Sequence, residues 1–216
     1  MKTAHSAFGL LQSGNLEGFR RMLAEDPSAA EARDESGVSL LMHCLYRGQR
    51  DLAELVATKK RTLDVFEAAS VGQMERLLEC LRDDHAADAR SADGFTALHF
   101  ACFFSQPEAA RLLIESGAKV DAVAANAMQV MPLHSAASVR NLEAARLLLE
   151  HGAPVNARQQ GGWAPMHAAA QNGDRAMVEL LLRHSADRAL ANDAGKTAAM
   201  VAREKGHEEI ASLLES

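Results

Sequence analysis

The residues most open to chemistry in this sequence are three histidines, set in Thr96-Ala97-Leu98-His99-Phe100-Ala101, Met131-Pro132-Leu133-His134-Ser135-Ala136 and Ala164-Pro165-Met166-His167-Ala168-Ala169. A zinc site would need each ring nitrogen at about 2.0–2.1 Å from the ion. His99, His134 and His167 recur at intervals of 35 and 33 residues, once per version of the same hexapeptide. Helices packed side by side lie roughly 8–10 Å apart, so residues one interval apart cannot easily share a metal. The other histidines show no HExxH or related spacing, and neither a metal nor a cofactor is expected. His99 and Cys102 stand three apart on one helix, as a thiol nucleophile and its base would. That makes a small thiol enzyme one alternative. Against it, Cys102 takes a position filled by Ala137 and Ala170 in the parallel stretches, and Cys44 and Cys80 also fall on small or apolar positions. All three read as buried, inert thiols. With no GxSxG, P-loop or GxGxxG, and no convergent carboxylate pair, the expectation is a chain without an active site.

The compact basic run Lys59-Lys60-Arg61 offers a second alternative, a nucleic-acid binder. It lacks the aromatic and basic neighbours that a phosphate-tracking groove requires, and it reads as a solvated linker. The balance of 23 basic and 29 acidic residues gives a formal charge of −6, so neither nucleic acid nor an anionic membrane is expected as a partner. No apolar run approaches the roughly 18 residues of a membrane span. The first apolar segment stops at Gln12, too short for a secretory signal, so the expected location is cytoplasmic.

What positions these residues is a repeat. Alanine and leucine dominate the apolar residues while valine and isoleucine are few, a balance that favours helices over strands. With the histidine position as reference, Phe8, Met42, Phe66, His99, His134, His167 and Met200 form one series with spacings of 34, 24, 33, 35, 33 and 33. Six residues later the series reads Gly14, Gly48, Gly72, Ser105, Arg140, Gly173 and Gly206, where one helix ends and the chain reverses. Nine residues later, Glu17, Asp51, Glu75, Glu108, Glu143 and Glu209 suit the first turn of a second helix, where the macrodipole favours negative charge. Fourteen residues later, Met22, Val56, Cys80, Leu113, Leu148, Leu181 and Leu214 make a series expected to be buried throughout. Small pairs such as Ala68-Ala69, Ala136-Ala137 and Ala169-Ala170 let neighbouring units approach closely. Ser39, Thr96 and Thr197 are N-cap candidates, and Pro132 and Pro165 suit first helical positions.

Two departures bear on shape. The spacing of 24 between Met42 and Phe66 is about ten residues short, so the loop between units two and three should be missing, with the next helix opening near Thr62. Residues of units one and two also match those of units three and four at an offset of 57: Ala32-Arg33 with Ala89-Arg90, Gly37 with Gly94, Leu41 with Leu98.

The TALHFA, MPLHSA and APMHAA stretches, with Asp93–Leu98 and Leu112–Ala118, resemble the ankyrin repeat family; Leu63–Ala69 is similar to small stand-alone bacterial members. The resemblance is close over 93–216 and rests on spacing and apolar positions over 1–90. It implies an all-α solenoid of about seven helix-turn-helix units with finger loops, forming one domain over 1–216. The expected units are 5–33, 34–58, 61–90, 91–124, 125–158, 159–191 and 192–216. It also implies that the recurrent histidine bonds loop backbone, and that the work is protein binding through finger tips and the outward face of each first helix. In this numbering those positions hold Tyr46, Phe95, Phe103, Phe104, Met128, Val130 and Trp163, expected to form an exposed patch on a monomer that binds a partner protein.

Overall fold

A computed structural model describes residues 2–83 and 85–215, with side chains from residue 7 onward. Met1, Ser216 and Asp84 lie outside the described residues. Fourteen α-helices follow one another in seven pairs among them: α1 (Lys2–Gln12) with α2 (Leu16–Glu25), α3 (Leu40–Tyr46) with α4 (Arg50–Lys59), α5 (Val65–Val71) with α6 (Met74–Cys80), α7 (Ala97–Phe103) with α8 (Pro107–Glu115), α9 (Pro132–Ser138) with α10 (Leu142–Glu150), α11 (Pro165–Gln171) with α12 (Arg175–Arg183), and α13 (Ala198–Glu204) with α14 (Glu208–Glu215). The result is an all-α helical solenoid whose core is distributed along the stack.

The local causes are those the spacing implied. All seven reversal positions take a left-handed backbone, with φ from 57° at Ser105 to 80° at Gly206. Glycine tolerates that conformation without a Cβ clash, whereas Ser105 and Arg140 adopt it against their preference. The alanine pairs 68–69, 136–137 and 169–170 are fully buried, so successive first helices meet over methyl groups. In the series fourteen residues after the reference, Val56, Leu113, Leu148, Leu181 and Leu214 are buried, while Met22 and Cys80 are half-buried. Met22 and Cys80 therefore both depart from the expectation of full burial; at Cys80, α6 is followed by an irregular stretch rather than a tightly closing loop.

Five fingers project from the stack, each closed by one backbone hydrogen bond: Asp34 N to Val38 O, Ser91 N to Phe95 O, Ala124 N to Val130 O, Gln159 N to Trp163 O, and Asn192 N to Lys196 O, at 2.8–2.9 Å. The Ala124–Val130 finger encloses two more residues than the others, which accounts for the spacing of 35 before His134. Each recurrent histidine ties a finger to a helix. Backbone N–H groups of Thr96, Met131 and Ala164 donate to Nδ1 of His99, His134 and His167 at 3.3, 3.1 and 3.1 Å. Their Nε2 atoms face the carbonyl oxygens of Val130, Ala157 and Lys196 at 3.0, 3.0 and 3.1 Å. An Nδ1 that accepts a backbone N–H carries no proton, so Nε2–H must donate to the next finger, and the ring must be neutral.

No finger joins units two and three. Lys59 ends α4, and residues 60–64 run directly into α5. That helix opens at Val65 rather than near Thr62, because Asp64 caps it: Asp64 Oδ1 accepts from Glu67 N at 2.9 Å and Glu67 Oε2 from Asp64 N at 3.1 Å. Arg90 donates to Gly94 O of its own finger and to Val123 O of the next at 3.2 and 2.7 Å. Its counterpart Arg33 donates to Gly37 O at 2.9 Å and, with no next finger to reach, pairs with the Asp64 carboxylate at 2.7 Å. A small cavity of about 90 Å³ between Arg33, Asp64, Arg90 and Ser91 marks the missing loop.

The basic run is not wholly solvated, as its sequence suggested. The Lys60 side chain is only 3% exposed, with Nζ 3.2 Å from carboxylate oxygens of both Glu31 and Glu67, the latter 1% exposed. Glu31 also accepts from Arg61 N at 2.8 Å, and this bond with the neighbouring cations lowers its pKa. Ten residues of loop are thus replaced by a buried ion cluster.

Breaking a buried pair from one side strands the other charge. Glu67→Ala should lower the unfolding free energy by on the order of 3 kcal/mol, whereas Lys60→Met with Glu67→Leu should restore most of it. Urea denaturation of the three proteins checks this; equal stability of Glu67→Ala and the parent would refute it.

The neutral histidines predict an acid dependence. Burial lowers the His99 pKa to about 4, and lowers those of His134 and His167. Between the folded value and the ordinary value of about 6.5 the unfolded chain binds more protons, so stability is full above that range and falls as pH drops through it. Each ring contributes a slope of up to about 1.4 kcal/mol per pH unit. Unfolding titrations at pH 7 and 5 should show the loss, and His99→Gln should reduce it by about one proton's worth. Identical slopes in parent and variant would mean that His99 is not held neutral.

Candidate functional site

The first helices present their outward face beside the fingers, and the two surfaces meet in a cleft of about 510 Å³. Its floor comes from α7 (His99, Phe100, Phe103) and α9 (His134, Ser135, Ser138); one wall comes from Asp93 and Phe95 of one finger, Met128 and Val130 of the next, and Gln159 of a third; Tyr46, at the end of α3, closes one side. Tyr46, Phe103 and Met128 remain 43%, 43% and 47% exposed, while Phe95 and Val130 are half-buried. Bulky apolar groups left this open do not serve the core.

Aromatic packing holds the shape. The ring of Phe100 lies 5.5 Å from Phe95, 6.2 Å from Phe66, 6.3 Å from Phe104 and 6.5 Å from Tyr46. Phe103 meets Phe104 edge-on at 5.2 Å. At the rim the Tyr46 hydroxyl donates to Asp93 Oδ2, and Ser91 Oγ donates to Asp93 Oδ1 at 2.5 Å. Burial and the adjacent carboxylate push the Tyr46 pKa up, so the phenol keeps its proton.

Of the seven residues expected to bind a partner, five converge here: Tyr46, Phe95, Phe103, Met128 and Val130. Phe104 does not fit the expectation of exposure. It is 8% exposed, turned inward under Phe103 and against Tyr46 at 6.1 Å, with its carbonyl accepting from Arg50 Nη2 at 2.8 Å. The reason is that the helix ends at Phe103, and the next residue swings under the stack before the Ser105 reversal. Trp163 does not line the cleft. It stands half-buried on the following finger, with its ring 5.6 Å from His167, so the expected patch is divided. Asp93, Phe100, Ser135, Ser138 and Gln159 also line the cleft and were not singled out from the sequence. Asp93 and Ser138 hold the same repeat positions as Met128 and Phe103, so register would have found them where a search for aromatics could not.

The alternatives find no supporting geometry. Cys102 is fully buried, and burial pushes its thiol above the ordinary range. Burial likewise pushes Cys44 up to about 12 and raises Cys80. Both ring nitrogens of His99 are occupied, as described above, leaving none to act as a base. Among the described residues no cluster of three or more His, Cys, Asp or Glu is arranged to hold a metal ion, and no helix is long and apolar enough to cross a membrane. In the basic run, Lys60 is consumed by Glu31 and Glu67.

The division between support and surface is measurable. Phe104→Ala should cost about 3–5 kcal/mol of stability, and Phe103→Ala about 0.5 kcal/mol or less. Thermal melts of the two variants decide it; equal losses would put both rings in the core.

Comparison with known proteins agrees with this architecture. The family model for ankyrin repeats (three copies) matches residues 65–159 and 153–216, from the start of α5 to the end of the chain. Among curated proteins, the chain is 38% identical to the B-cell lymphoma 3 protein of Homo sapiens, over 64% of this chain and 32% of that protein. It is 39% identical to the B-cell lymphoma 3 protein homolog of Mus musculus, over 55% of this chain and 26% of that one. It is 29% identical to tyrosine-protein kinase HTK16 of Hydra vulgaris, over 46% and 13% respectively. The chain thus spans about a third or less of these relatives. With the family matched over more than half its length, and helix pairs and histidine-tied fingers in place, the chain belongs to the ankyrin repeat family.

Proposed function

We propose that this chain is a non-catalytic protein-interaction module, acting as a single domain over residues 1–216 with the seven units drawn above, monomeric and cytoplasmic. Ankyrin repeats are in general protein–protein interaction modules. A partner protein binds in the cleft between the fingers and the first-helix face. The observation that carries this reading is the convergence of Tyr46, Phe95, Phe103, Met128 and Val130, from two helices and two fingers, on one open apolar cleft. Concave sites lined by apolar groups with a few polar ones are where ligands collect, and exposed aromatic anchors dominate binding energies. Met128 adds a side chain flexible enough to fit partners of different shape. Trp163, one finger further on, supplies a peripheral contact, and Phe104 supports the floor without touching the partner.

The test is capture of partners from the source cell on the immobilised chain, alongside the double variant Phe103→Ala with Met128→Ala. The parent should retain at least one protein that the variant, equally folded by circular dichroism, loses at least tenfold; truncating a true anchor typically costs about 2 kcal/mol or more. Retention of the same proteins by both would move the binding surface elsewhere.

A further inference from the structure

The cleft is lined by one acidic side chain, Asp93, and its surroundings specify what can enter. His99 and His134, which also line it, are neutral because their Nδ1 atoms accept backbone N–H groups. The remaining polar lining groups, Tyr46, Ser135, Ser138 and Gln159, are uncharged. Among the described residues the Asp93 carboxylate accepts from two hydroxyl groups, those of Tyr46 and Ser91, while its backbone carbonyl accepts from Asn126 Nδ2, and no lysine or arginine forms an ion pair with it. A carboxylate is therefore fixed by two donors at the edge of an apolar cleft, with the exposed rings of Tyr46 and Phe103 beside the same space; Arg33 and Arg90 line the small cavity that Asp93 also borders but are bonded elsewhere, so on the cleft side the carboxylate meets no cation of the chain.

Resting on the reading that this cleft is the binding site, we infer that it recognises a linear segment of a partner protein in which a bulky apolar residue is followed closely by an arginine or lysine. The apolar residue lies between Phe95, Phe103, Met128 and Val130. The cation sets its alkyl stem along the aromatic rings and its charge against Asp93, gaining both a charge-assisted hydrogen bond and cation–π attraction. An acidic occupant would be repelled, and an uncharged one would desolvate the carboxylate without replacing its water. The formal charge of −6 steers basic segments toward the chain and acidic ones away. Ser135, Ser138 and Gln159 are left to bond the backbone of the segment.

Selection of a displayed random library of peptides about 12 residues long on the immobilised full chain tests this. Enriched peptides should share a bulky apolar residue with arginine or lysine within a few positions. For a synthetic enriched peptide followed by fluorescence anisotropy, Asp93→Asn should weaken binding about tenfold and flatten its dependence on salt. Replacing the peptide's arginine by citrulline, or its lysine by norleucine, should weaken the parent complex similarly and leave the Asp93→Asn complex unchanged. Tyr46→Phe keeps the carboxylate and should retain the preference for a cation, which separates the charge from the hydroxyl tie should Asp93→Asn melt early. Enrichment of acidic or uncharged peptides, no enrichment, or an affinity indifferent to Asp93→Asn would overturn the inference. If Phe103→Ala weakens the peptide while Asp93→Asn does not, only the basic specificity fails. If Phe103→Ala has no effect either, the cleft is not the site and both readings fall.

Discussion

A helix pair of this size cannot bury its own apolar face, so everything in the molecule depends on how one pair is fixed to the next. The imidazole does much of that work. A neutral histidine at the first turn of a helix accepts from the backbone that starts the helix and donates to the finger of the following unit. One side chain thus satisfies an otherwise unpaired helix-start N–H and sets the height of the next finger. Because the ring must be neutral for both bonds, burial and function of the residue reinforce each other: the environment that lowers its pKa also makes the bonds stronger. His99 and His134 also form part of the cleft floor, so in those two units one interaction serves both the register of the stack and the shape of the surface.

The short connection after unit two shows what happens where the finger itself is absent. The reference position there is Met42, buried and contacted by the Ser70 hydroxyl at 3.5 Å, with no finger to bond. Three charge pairs take over, Arg33 with Asp64 and Lys60 with both Glu31 and Glu67. Removing a finger also opens a line of approach. With no loop in between, Tyr46 reaches Asp93 on the finger of unit four, and the cleft gains an aromatic side from a helix two units away.

The repeat made much of this legible. Reversal glycines, acidic second-helix starts, alanine contacts and histidine positions follow from the requirement that every unit present the same surfaces to its neighbours, so the pattern is written several times over. The missing finger could be read from spacing; spacing argued against a shared metal at the histidines, and the family resemblance supplied their structural role. Single-copy features were less legible. Nothing in Lys59-Lys60-Arg61 announces that its middle residue is buried while its neighbours are not, because the two carboxylates that enclose it come from Glu31 and Glu67, on either side of it in the chain.

The sequence by itself determined the all-helical solenoid, the repeat register and the omission of one finger, since these depend on periodicity and on local backbone chemistry. The tertiary structure decided which outward residues share a space. Phe103 and Phe104 are adjacent in sequence, yet one opens to solvent and the other packs beneath it, because the helix ends between them and a left-handed residue follows. Trp163 and Val130 hold equivalent positions on successive fingers, yet only Val130 lines the cleft. Periodicity gives the direction of a side chain relative to its own unit; the curvature of the stack and the packing of aromatic rings across units decide what it meets there.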